Sequence, residues 1–98
     1  MHSIDGNQEF SVLMSIYAGN KFKDLNEALL SIKSQTLLPS EVVIVEDGYV
    51  DDKLKTVVGK YRNSLHIVSV VLDENTGHGH ALNQGLKFCS NDLCKYDI

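Results

Sequence analysis

From Phe10 onward, short β-branched runs alternate with stretches of helical periodicity, and that alternation constrains the fold more than any other feature of the chain. Residues 10–17 read as a strand closed by the turn residues Ala18-Gly19-Asn20. Apolar residues then recur at Phe22, Leu25, Leu29 and Ile32, one face of a helix, with Ala28, Leu30 and Leu37 widening the stripe. Pro39-Ser40 breaks this pattern before a continuous apolar run over 42–45. A second helix is predicted over 50–61, with Leu54, Val57 and Val58 inward, and a third strand over 65–72. Asp73-Glu74-Asn75-Thr76-Gly77 reads as a loop, followed by a helix from His78 to about Cys89. Asn91-Asp92 makes another turn, and 93–98 opens a further apolar segment. The order β-α-β-α-β-α-β predicts an α/β fold: a Rossmann-like, mostly parallel sheet between two helical layers.

Charge and cysteine usage narrow the function classes. A formal net charge of -4 leaves no basic footprint for nucleic acid. Lys53, Lys55, Lys60 and Arg62 share their helical stretch with Asp51 and Asp52, as on a solvated face. Cys89 and Cys94 fit no zinc spacing and build no disulfide framework, so two reduced thiols are expected. No apolar run approaches the ~20 residues that cross a bilayer. Residues 1–9 are polar and acidic, unlike a signal peptide, and are expected to be a flexible segment ahead of a domain over 10–98. A cytoplasmic protein is the expectation, with the inner face of the membrane as the site of any longer form. The chain stops at Lys95-Tyr96-Asp97-Ile98, inside the start of an element, so it is expected to be the N-terminal part of something longer.

Candidate chemistry gathers at strand ends. In open parallel sheets, ligands sit at the carboxyl ends of the strands. Tyr17 closes the first strand, and Glu46-Asp47-Gly48 closes the second. An aromatic face and a carboxylate on one rim suit a nucleobase, with the ring stacking and Asp47 accepting an N–H. Equally, Tyr17 could cap the core and Asp47 the following helix. Asn75-Thr76-Gly77-His78-Gly79-His80 opens a helix after the third strand, where backbone N–H groups can hold an anion. Its glycines also suit simple turn geometry, and Gly85 comes too late for the dinucleotide fingerprint. His78 and His80 do not share a helix face and lack a third ligand in sequence, so they are expected at the surface.

These pieces together resemble the inverting family 2 glycosyltransferases, whose nucleotide-binding half is the βαβ sheet of the GT-A fold. Ser11-Val12-Leu13-Met14-Ser15-Ile16-Tyr17 is similar to the family's first strand. Residues 28–36, ending Ser31-Ile32-Lys33-Ser34-Gln35-Thr36, are similar to its first helix. Val43-Ile44-Val45-Glu46-Asp47-Gly48-Tyr49-Val50-Asp51 resembles V-I-V-D-D-G-S-x-D, and residues 75–86 resemble N-x-G-x-x-x-A-x-N-x-G. The resemblance covers nearly all of the chain after Glu9, and its nearest branch acts on bacterial surface polysaccharides such as amylovoran-type exopolysaccharide.

The resemblance implies a truncated N-terminal half of a GT-A domain. It implies a longer enzyme that transfers a sugar, with inversion, from a nucleotide-sugar donor to a glycan or lipid-linked acceptor. Ser15, Tyr17, Asp47, Asp51, Asn75, Gly77 and Gly79 would be its donor-binding residues. Mg²⁺ or Mn²⁺ is implied for that enzyme, held by a D-x-D motif beyond Ile98. Neither this motif nor the catalytic base falls within the chain, so no catalytic or metal residue is assigned and the chain alone is expected to be inactive. Ala18, Glu46, Tyr49 and Leu82 depart from the usual Asn, Asp, Ser and Arg. Competing readings are a nucleotidyltransferase, a receiver-like or other non-catalytic nucleotide-binding module, and a bare scaffold. A cut sheet edge would also favour self-association.

Overall fold

Burial on both faces of a strand demands apolar residues without alternation, and the second strand meets that demand: Val42, Val43, Ile44 and Val45 are all fully buried. A computed structural model describes residues 9–97. Its elements are β1 (Ser11–Ile16), α1 (Phe22–Lys33), β2 (Glu41–Asp47), α2 (Asp52–Tyr61), β3 (Ile67–Leu72), α3 (His78–Leu86) and β4 (Cys94–Tyr96). Every strand pairing is parallel, in the order β3-β2-β1-β4. The expected flexible segment falls largely on residues 1–8, outside the described residues.

The side-chain period of two assigns each strand residue to one of two cores. Val12, Met14 and Ile16 of β1 and Val42 and Ile44 of β2 pack with α1 and α2 through Leu25, Leu29, Ile32, Leu54, Val57 and Val58. Leu13, Val43 and Val45 face the other way and meet Ala81 and Leu82 of α3. The result is three layers, as the sequence predicts. Gly85 lets α3 ride close to the sheet: a Cβ there would fall 2.5 Å from Leu13 Cδ1 and 2.6 Å from Val45 Cγ2.

Helix ends differ from the sequence expectation for local reasons. α1 stops at Lys33, where Ser34 and Gln35 donate backward into a closing turn, and Ser34 and Thr36 are weak helix formers. Leu37 therefore leaves the stripe, and Phe22, Leu30 and Leu37 are exposed rather than inward. α2 starts at Asp52 because the Asp51 carboxylate caps it, accepting from the Leu54 N–H at 3.1 Å. Val50 precedes the helix yet is buried. α3 ends at Leu86, and the chain tightens through i→i−3 bonds from Lys87, Phe88 and Cys89. Cys89 is thereby left half-buried, its sulfur 3.5 Å from that of Cys94, with both thiols free. Val71, on β3 at the edge of the described sheet, is 65% exposed.

A buried polar cluster closes the amino ends of β1 and β2. The Glu41 carboxylate accepts from the Ser11 hydroxyl at 2.6 Å and from the Ser90 N–H and hydroxyl. Asn91 adds bonds to the hydroxyls of Ser11 and Ser40. Burial works against the charged form of Glu41, but the hydrogen bonds from Ser11 and Ser90 and the proximity of His66 outweigh it. Its carboxyl is held below the ordinary value.

Candidate functional site

The parity that sends Leu13, Val43 and Val45 toward α3 also sends Ser15 and Asp47 there, at the carboxyl ends of their strands. α3 crosses from β3 to β4 over β2 and β1, so its first turn arrives above both residues. Asp47 then fastens that turn. One carboxylate oxygen accepts from the Thr76 N–H at 2.7 Å and the Thr76 hydroxyl at 3.0 Å. The other accepts from the Gly77 N–H at 3.0 Å, and the Asn75 amide reaches the Asp47 carbonyl at 3.3 Å. The anion at this helix N-terminus is thus the protein's own carboxylate, only 4% exposed.

Two glycines make the arrangement possible. Gly48 has φ 84°, and a Cβ there would lie 2.7 Å from the Asn75 nitrogen. Gly77, with φ 95°, turns the chain into α3. On the opposite wall, Tyr17 and Asn20 bond reciprocally: the Tyr17 N–H to the Asn20 side chain at 2.7 Å, and the Asn20 N–H to the Tyr17 carbonyl at 3.0 Å. The Tyr17 ring lies over Gly19, where any Cβ would fall 2.5 Å from its edge. Tyr17 is 47% exposed.

Between these walls lies a cleft of about 510 Å³ lined by Ser15, Tyr17, Asn20, Asp47, Asn75, Gly77 and His78. The fold therefore brings Ser15, Tyr17, Asp47, Asn75 and Gly77 together. Asp51 and Gly79 lie outside it. Asp51 is occupied as the cap of α2 and borders a neighbouring cavity with Asn20, Lys21 and Lys53, while Gly79 is exposed on α3. Helix capping, one of the two roles open to Asp47, is performed at α2 by Asp51 instead.

Two cleft residues escape the sequence reading. Asn20 looks like an ordinary turn residue. His78 is exposed, as expected, and it also lines the cleft, placing Nδ1 2.7 Å from the Ser15 hydroxyl. The available signal was its position directly after Gly77, on the turn that the strand-end carboxylate holds. Asp97 follows β4 and lies outside the cleft, and its carboxyl is pushed up by burial. Among the described residues no group of three or more His, Cys, Asp or Glu side chains could hold a metal ion. Asp47, the one carboxylate lining the cleft, is already bonded to the α3 turn. These residues do not fit a divalent-cation site.

Comparison with known proteins places this geometry. A galactosyltransferase of Escherichia coli, UDP-Gal:alpha-D-GlcNAc-diphosphoundecaprenol beta-1,3-galactosyltransferase, is 44% identical over 89 residues, 91% of this chain. The amylovoran biosynthesis glycosyltransferase AmsE of Erwinia amylovora is 43% identical over 84 residues, 86% of this chain. The chain spans only 32% of the length of each. Among solved structures, S. aureus TarS 1-349 in complex with UDP superposes with a TM-score of 0.77 at 28% identity, covering 92% of this chain and 27% of that one. The mannosyltransferase PcManGT of Pyrobaculum calidifontis, in complex with GDP-Man and Mn²⁺, gives 0.74 at 25% identity, covering 88% of this chain and 26% of that one. The α/β architecture is that of these GT-A enzymes, and residues 11–96 match the model of glycosyl transferase family 2: the chain belongs to that family.

Proposed function

We propose that this chain holds the nucleotide of a sugar donor, as the N-terminal part, over residues 10–98, of a longer transferase. The observation that carries this reading is the convergence of Tyr17 and Asp47 on one cleft at the carboxyl ends of β1 and β2. The exposed Tyr17 ring offers a stacking face. A carboxylate has about four acceptor sites, and the Asp47 oxygens use three, so one remains for a base N–H. Ser15, Asn75 and Gly77 border the same ligand.

The longer protein would displace the nucleoside diphosphate from the sugar's anomeric carbon with inversion. The hydroxyl of a glycan or lipid-linked acceptor forms the new bond as the carbon–phosphate-oxygen bond breaks. A carboxylate base takes the hydroxyl proton, and the electron pair leaves with the diphosphate. Asp47 is not that base, because three of its acceptor sites are held by the α3 turn and the fourth serves the nucleobase in this reading. Mg²⁺ or Mn²⁺, where such a protein uses one, neutralises charge on the leaving diphosphate, and its ligands would come from outside the described residues. The relative named for amylovoran biosynthesis supports polysaccharide assembly as the setting. No helix among the described residues is long and apolar enough to cross a membrane.

Titration of the ¹⁵N-labelled chain with UDP tests the reading. Tyr17, Asn75 and Gly77 should shift, and Tyr17→Ala should weaken binding by about tenfold. Absence of shifts at these residues would sink it. Sugar transfer by the chain alone would overturn the assignment of catalysis to residues outside it.

A further inference from the structure

We propose that Cys89 and Cys94 form a dithiol site, which a low-molecular-weight disulfide oxidises to an intrachain disulfide that clasps the connection between α3 and β4. The two sulfurs lie 3.5 Å apart, both thiols are free and both residues are half-buried. They belong to different parts of the fold. Cys89 follows α3, where its thiol donates toward the Gly85 carbonyl at 3.7 Å, and Cys94 opens β4 opposite Ser11. Both pack at the margin of the core that α3 shares with the sheet. Packing alone would be served by any small apolar side chain at either position. Two thiols in contact and still open to solvent add a reactivity that alanine or valine would not supply.

The geometry favours closure. Reacting atoms about 3–3.5 Å apart are already near attack distance. An S–S bond of about 2.05 Å requires the sulfurs to approach by about 1.5 Å, which side-chain rotation supplies. The connection between the two residues is itself anchored. Ser90 donates to the Glu41 carboxylate, and Asn91 to the hydroxyls of Ser11 and Ser40. These bonds keep the thiols facing each other, so the second step of an exchange is intramolecular.

Cys94 starts the exchange. Burial and the contact with Cys94 push the Cys89 thiol up, so Cys89 keeps its proton. The Cys94 thiolate attacks one sulfur of the reagent disulfide, whose S–S bond breaks and releases one thiolate. Cys89 then gives its proton to that thiolate, and its sulfur attacks Cys94 Sγ. The mixed S–S bond breaks, and its electron pair leaves with the second reagent thiolate, which takes up the proton lost from Cys94. Two protein thiols are oxidised, and one reagent disulfide is reduced to two thiols. Cys94 pairs with Ser11 at the amino end of β1, whereas the cleft lies at the carboxyl ends. The clasp therefore braces the Glu41 end of the sheet and leaves the cleft open.

Incubation of the whole chain with excess glutathione disulfide at pH 8, read by intact mass and thiol titration, tests the assignment. The product should be a monomer that has lost two hydrogen atoms, carries no glutathione and regains both thiols with dithiothreitol. Its thermal midpoint should rise by about 5 °C, since the closed loop restricts the unfolded chain. Cys89→Ser should stop at a stable glutathione adduct on Cys94, because no second thiol remains to displace it. A persistent adduct on the wild type, disulfide-linked dimers in place of the monomer, or two thiols left unreacted would each overturn the proposal. A midpoint lowered by oxidation would overturn the clasp. None of these readouts involves a nucleotide, so the donor-binding reading stands or falls separately.

Discussion

Glu41 and Asp47 stand at opposite ends of β2, on the same face of the sheet, and both are 4% exposed. Each accepts a backbone N–H from a distant loop: Ser90 for Glu41, and Thr76 and Gly77 for Asp47. By burial and hydrogen bonding they are the same device, a strand carboxylate that pins the connection at one end of α3. The difference is what surrounds them. The Glu41 end is filled by Ser11, Ser40, Ser90 and Asn91, whereas the Asp47 end opens onto the cleft beneath Tyr17 and His78. A buried, well-bonded carboxylate is therefore a stabilising feature by default. What distinguishes the functional candidate is the unfilled space beside it.

The largest effects should come from removing either carboxylate. Glu41→Ala and Asp47→Ala each strand buried donors and should cost about 2–4 kcal/mol, read from urea midpoints. The comparison breaks if Glu41→Gln abolishes UDP binding, or if a folded Asp47→Asn keeps it. Gly85→Ala should cost about 1–3 kcal/mol, because the new Cβ must push into the buried Leu13 and Val45 side chains.

Acid should sharpen the contrast further. The Glu41 carboxyl is held below its ordinary 4.5, so folding favours its deprotonated form. Its contribution is fully present above that value and is lost as pH falls through the folded-state pKa. As pH falls below 4.5, stability should therefore drop less steeply in Glu41→Gln than in the wild type. The smallest effect concerns Cys89, whose thiol is pushed up to about 12 by burial and by its contact with Cys94. Its alkylation at pH 8, followed by mass spectrometry, should be far slower than that of a solvent-exposed thiol. Brisk labelling would mean that the α3–β4 connection opens readily.

Much of the fold was legible because both periods are strong in this chain. The run of three valines and one isoleucine in β2 could hardly be anything but a doubly covered strand, and Leu25, Leu29 and Ile32 mark the inner face of α1. The boundaries were less legible. Leu37 fits the helical spacing, yet the helix has already closed at Ser34 through short-range bonds that no apolar pattern encodes. The candidate site divides in the same way. Tyr17 and Asp47 could be found because strand ends announce themselves. His78 could not, since its place in the cleft depends on how α3 docks, which is set by Gly85 against the sheet and by Asp47 against the turn. Asp51 illustrates the converse: its position within a familiar motif suggested a ligand contact, while its geometry is that of a helix cap.

The clasp between Asp47 and the turn ahead of α3 exists before any ligand arrives. A newcomer consequently meets a ready-made wall and pays little ordering entropy there. Amide protons of Thr76 and Gly77 should accordingly exchange slowly with deuterium even in the empty protein, and encounter rather than rearrangement should govern how fast the nucleotide enters.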